Sequence, residues 1–140
     1  MANFQYKQGL GNSAAYQVSG KPFVTAAVEV APHDSVATEI EFPAVTKEIT
    51  FSDWRYEVEG FVANAIIRVG FSANGVAGTN YISLATSSPV TLDVKARSVF
   101  ITGEDLNGGP VAATGSIFAS LTSIETGSIT NNWSGSVGVG

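Results

Sequence analysis

The stretch "VATEIEF", residues 36–42, decides the fold class. Val36, Thr38, Ile40 and Phe42 fall on one side of an extended chain, with Ala37, Glu39 and Glu41 on the other. Successive side chains of a strand point to opposite faces, so this alternation predicts a strand with one buried and one solvated face. The same period recurs on both sides. "PFVTAAVEV" (22–30) precedes it, and "TKEITF" (46–51) follows the break at Pro43. "NAIIRVGF" (64–71) is a near-continuous apolar run with Arg68 inside it. "NYISLA" (80–85), "VTLDVKA" (90–96), "RSVFITG" (97–103) and "SIFASLTSI" (116–124) complete the series.

These runs predict an all-β chain: a single antiparallel β-sandwich, jelly-roll-like, over residues 23–125. Parallel βαβ units need helices between their strands, and no window sustains a 3.6-residue period. The nearest approach to a helix is "DWRYEVEGFV" (53–62), where Trp54, Val58 and Phe61 stand at i, i+4 and i+7. Gly60 and the aromatic content speak against it. Asn74-Gly75 and Asn107-Gly108 favour positive φ and mark turns, the first as the tip of a wider loop. Residues 1–22 read as an N-terminal arm, with two lysines and no acid. Residues 126–140 carry no charge and read as a flexible or partner-docked tail.

The chain has 140 residues, enough for one domain, and no Cys, which excludes disulfides and thiol chemistry. Charged residues make up 14% of it, against about 25% in ordinary globular proteins. So sparse a charge predicts that partners cover much of the surface. The net charge of −5 and the scattered lysines and arginines argue against nucleic acid. The uncharged tail has too few large apolar groups to span a membrane. "MANFQYKQGLG" has no apolar core of the secretory type.

Candidate chemistry is sparse. His33 in "APHDS" stands next to an Asp, as a base and its orienter would, but turn chemistry from Pro32, Asp34 and Ser35 accounts for it. Glu39/Glu41 and Glu57/Glu59 are spaced to share one face of a strand. They could hold a cation or work as an acid/base pair; a solvated face is the simpler reading. "EDLNG" (104–108) resembles part of a calcium loop without its later acid. "GFSANGVAGTN" lacks the Lys of a phosphate cradle. "NWS" (132–134) fits the glycosylation pattern. Trp54, Tyr56, Phe61 and Phe71 could line a sugar site but read as core. No cofactor or metal is expected.

The segments "YQVSGKPFVT" (16–25), "EIEFPAVTKEITF" (39–51), "IIRVGFSANGVAGTNYISL" (66–84), "VTLDVKARSVFITG" (90–103) and "FASLTSIET" (118–126) resemble, in order and spacing, small virion structural proteins of tailed bacteriophages, of the marine and cyanobacterial type. The resemblance covers residues 11 to about 126. Residues 52–65 depart from it, and the tail lies outside it. It implies a non-enzymatic capsid decoration or cement protein on the virion surface, made in the host cytoplasm. It also implies the major capsid protein and neighbouring virion proteins as partners, and a symmetric homo-oligomer, with a trimer favoured. The expected contact residues are Phe4, Tyr6, Tyr16, Val18 and Phe23 near the front and Trp133 near the end. A tail or fibre component, or a carbohydrate-binding module using loops 72–79 and 104–110, is the alternative.

Overall fold

The computed structural model describes residues 21–128 and 131–140. Among them, nine strands run β1 Pro22–Val30, β2 Thr38–Glu41, β3 Thr46–Val58, β4 Phe61–Asn64, β5 Ile66–Gly70, β6 Ile82–Ala85, β7 Val90–Leu92, β8 Ser98–Glu104 and β9 Ala113–Leu121. A short helix, α1, spans Ala73–Ala77. One sheet has the order β1-β9-β3-β4, with β7 also paired to β3; the other has the order β2-β8-β5-β6. Every strand pairing in both is antiparallel.

Set the short β4 aside and the connectivity simplifies. The first of the remaining strands pairs with the last, the second with the next to last, β3 with β7, and β5 with β6. That nested pairing is a long hairpin rolled into two sheets, the jelly roll. The expected fold class is therefore the observed one. β4 is an addition to it.

The core lies between the sheets. Ile49, Phe51, Trp54, Ile117 and Ala119 from the first sheet meet Phe42, Ile67, Val69, Val99 and Ile101 from the second. They alternate along their strands except on β3, where the bulge sets Phe51 and Trp54 three residues apart. Trp54 packs flat over Gly115, where any Cβ would run into the indole ring. Arg68, the one charge in the apolar run of β5, faces outward. Its guanidinium bonds Glu104 at 2.9 and 3.0 Å and lies 4.6 Å above the Tyr81 ring.

The first sheet is bent at one level. β1 carries a bulge between Thr25 and Val28, and β3 one between Ser52 and Arg55. Ala27 (φ 58°) and Asp53 (φ 57°) sit in the left-handed region there, where an extra residue is taken up and the strand twists. The amides freed on β3 find partners across the sandwich. Asp53 N donates to Thr86 O at 3.2 Å and Trp54 N to Thr86 Oγ1 at 3.1 Å. Beyond this bulge β3 leaves β7 and pairs with β4 instead.

Residues 53–62 form no helix, as Gly60 and the aromatic content argue: β3 continues to Val58 and turns back through Glu59 (φ 51°) and Gly60 (φ 85°). Positive φ at both central residues is the two-residue turn whose twist suits a hairpin. Asn74-Gly75 is not a loop tip but lies inside α1, which Ser72 caps by accepting from Gly75 N at 2.9 Å. Gly108 (φ 85°) does turn as read. Strand β9 starts three residues before the predicted run, at Ala113.

The C-terminal segment, expected to be flexible or docked on a partner, is fastened to its own domain over its last ten residues, 131–140, by Asn132. That buried side chain donates to Phe71 O (3.0 Å) and Ser98 O (2.7 Å) and accepts from Arg97 N (2.9 Å). Ser72 Oγ donates to Val139 O at 2.7 Å, which holds the last residues against α1. The amide of Asn132 thereby replaces water at three backbone groups, which an uncharged segment can do as well as a charged one.

Candidate functional site

Two surfaces stand out, one polar and one apolar. The polar one is a cleft of about 360 Å³ on the outer face of the second sheet. Glu39 and Glu41 on β2 face Phe100 and Ser98 on β8 across the ladder. The spacing of two places both carboxylates on this face, as the sequence required. Ser98 Oγ donates to Glu39 Oε2 at 2.9 Å. Arg97, Asn74 from α1 and Ser134 from the tail complete the rim. The amide of Asn132 and the hydroxyl of Ser72 also border the cleft, but both are spent on backbone partners. The groups left to meet a ligand are the carboxylates, the Asn74 amide and the half-buried Phe100 ring.

The apolar surface is the end of the β3–β4 hairpin. Past Arg55, which still faces Thr114, β3 has no β9 partner. Its side chains keep alternating. Tyr56 continues the face of Trp54 and packs on the core. Val58 follows on that face, and across the hairpin Phe61 pairs with Val58 and Ala63 with Tyr56. The core-facing side of the first sheet thus runs on past the core as Tyr56, Val58, Phe61 and Ala63. Phe61 is 78% exposed and Val58 48%. The reading of Phe61 as core is corrected: its strand face is right, but the opposite sheet does not extend over it. Val62, on the hairpin's other face, is also exposed. The outer face of the first sheet adds Val24 and Phe118, paired across β1 and β9. That row continues into Thr50 and Thr91, whose hydroxyls bond at 2.8 Å.

The expected contact residues are placed unevenly. Phe4, Tyr6, Tyr16 and Val18 lie outside the described residues. Phe23 is half-buried, with its ring edge-to-face on Phe42 at 5.3 Å between centroids, so it serves its own core. Trp133 remains 37% exposed beside Asn132. Val58 and Val62 are not among the expected contact residues, and Phe61 enters there only as a possible sugar-site aromatic. A period-two pattern shows which face a side chain takes but not whether a second layer stands opposite.

The remaining candidates take structural roles. His33 Nε2 donates to Gly108 O at 2.9 Å, which ties the β1–β2 turn to the β8–β9 loop. Asp105 Oδ1 accepts from the amides of Asn107 and Gly109, both at 2.8 Å, so it shapes its own loop. Glu57 stands beside Glu29 and Arg55 on the hairpin's outer side, and Glu59 is in the turn. No helix among the described residues is long and apolar enough to cross a membrane.

No protein-family model matches the chain, and neither the curated proteins nor the solved structures searched yield a match.

Proposed function

We propose that this protein is a non-enzymatic virion structural protein of a tailed bacteriophage, a decoration or cement protein that binds the assembled capsid lattice as a symmetric oligomer. The observation that carries the reading is the apolar face of the β3–β4 hairpin, Val58 and Phe61, held out in solvent by a chain with few charges. An exposed patch of this kind marks a surface for another protein. The row Val24–Phe118–Thr50–Thr91 offers a second, flat contact. The jelly roll is used by viral capsid domains and by lectins, which is an argument from fold alone. The ordered resemblance to phage virion proteins favours the first of these uses.

The physics is contact. A molecule that bridges lattice neighbours binds the assembled state more tightly than free subunits and so shifts the equilibrium toward assembly. Several weak contacts arranged by symmetry raise avidity without one strong anchor. The test is to mix purified protein with emptied capsids and image them by electron microscopy. Regular occupancy of lattice positions is the expected result. Binding at the tail alone, or none, overturns the cement reading.

The polar cleft favours a second reading, a carbohydrate site. Paired carboxylates accept from neighbouring sugar hydroxyls, the Asn74 amide adds a donor and an acceptor, and the Phe100 ring offers an apolar surface to a sugar's C–H face. A glycan-array signal abolished by Glu39→Gln with Glu41→Gln would support it. A signal unchanged by that pair rejects the cleft.

A further inference from the structure

The apolar hairpin face and the start of β1 stand at opposite ends of the first sheet. Pro22 pairs with Ser120 at one end of β9, and Arg55 with Thr114 near the other. Six residue steps separate these levels, about 20 Å. The hairpin adds roughly 10 Å beyond them. The chain is held on this sheet from Lys21 onward. Lys21 O still accepts from Leu121 N, at 3.3 Å, so the ladder holds the backbone up to the first residue described. The described chain therefore begins, at Lys21, at the pole opposite the hairpin.

Those residues complement the hairpin. They contain Phe4, Tyr6 and Lys7 and no acid. The hairpin offers Val58 and Phe61, with the acid Glu59 in the turn beside them; Glu57, on the opposite face, stands with Glu29 and with Arg55, which pairs with Asp53 at 3.5 Å. From Lys21 to Tyr6 an extended chain reaches about 50 Å. A domain of this size is roughly 30–35 Å across, so the segment can pass onto a neighbour.

We propose that the face Tyr56–Val58–Phe61–Ala63 is a socket for Phe4 and Tyr6 of a second copy of this chain, with Lys7 near Glu59 at the turn. Arm and socket are different surfaces, so the contact is head-to-tail. It closes into a ring where the rotation allows. This proposal rests on the self-association in the reading above, but not on which virion surface the assembly engages.

The test uses the full chain and two double variants, V58S/F61S in the socket and F4S/Y6S in the arm. Mass is read by light scattering across a concentration series, and folding by the melting temperature. Wild type is expected above the monomer mass of 14.5 kDa. Each variant is expected to self-associate at least about thirtyfold more weakly, as loss of an aromatic anchor does. The socket variant should keep the wild-type melting midpoint when both are diluted to monomer. An equimolar mixture of the two is expected to stop at a dimer, because one intact arm then meets one intact socket. If F4S/Y6S stays assembled while V58S/F61S does not, something other than the arm fills the socket, and the proposal fails. It also fails if wild type is monomeric at the highest soluble concentration. A monomer that still decorates capsids would sink this inference and leave the capsid reading standing. An assembled protein that ignores capsids would do the reverse.

Discussion

Strand β3 lives in two environments. Its first half, up to Phe51, has β9 on one side and β7 on the other, and a second sheet over its inner face. Among the described residues, its last residues, Tyr56 to Val58, have only β4 beside them, and Val58 at their far end is exposed. The inward residues are of similar kind: Ile49 and Phe51 in one half, Tyr56 and Val58 in the other, with Phe61 across the hairpin. Ile49 and Phe51 are fully buried, and Phe61 is 78% exposed. The contrast teaches that the apolar face of a strand is written locally, whereas its burial depends on what the rest of the chain places opposite. Where the first exists without the second, the surface is available to another molecule.

The comparison can be broken most forcefully at Phe51. Phe51→Ala should destabilise the domain by about 3–5 kcal/mol, through lost burial and a residual cavity. Phe61→Ala should change stability of the monomer by less than about 0.5 kcal/mol. Urea unfolding of both variants checks the pair, and similar losses would erase the distinction between the halves. Next in size is Gly115→Ala. The added methyl collides with Trp54, and overpacking of a tight core costs about 1–3 kcal/mol. Unfolding of this variant should be matched by a shift in Trp54 fluorescence.

The tail supplies a third case, because it shows apolar-poor chain held by hydrogen bonds. Asn132→Ala leaves Arg97 N, Phe71 O and Ser98 O without their partner. A loss of about 1–3 kcal/mol is expected. Hydrogen exchange should rise at residues 97–98 and 131–140 and stay unchanged at the hairpin. The smallest effect belongs to the bulge that separates the two halves of β3. Asp53 holds a left-handed φ of 57° with its side chain engaged only at the surface. Asp53→Gly relieves that strain, and a gain of about 0.5 kcal/mol is expected. A clear loss would mean that the Asp53 carboxylate, not the backbone, shapes the bulge.

How far the sequence was legible follows the same division. The alternation of "VATEIEF" and "PFVTAAVEV" placed the strands, and Phe42, Ile40 and Val30 took the inner faces that the alternation assigned them. The jelly-roll pairing was legible as a class, because eight short strands without helices have few other ways to bury one face each. The β4 strand was hidden: "DWRYEVEGFV" carries apolar residues that also fit a helical period, and only cross-strand pairing with 55–58 settles the matter. The bulges left no local mark, since neither Ala27 nor Asp53 is a residue that seeks positive φ as Gly does. The role of Asn132 was equally hidden, since its three partners lie 34, 35 and 61 residues away in sequence. Within the polar cleft, the spacing of Glu39 and Glu41 was legible, but the contribution of Ser134 and Asn74 depends on where the tail and α1 settle.

A hairpin face that serves another molecule adds little to the stability of its own domain. Hydrogen exchange of the full chain, followed at residues 56–64 over a dilution series, tests it most directly. The account predicts strong protection of these amides at high concentration, lost on dilution while the amides of Ile49 and Phe51 stay protected throughout. Protection of residues 56–64 that does not change with concentration would contradict it.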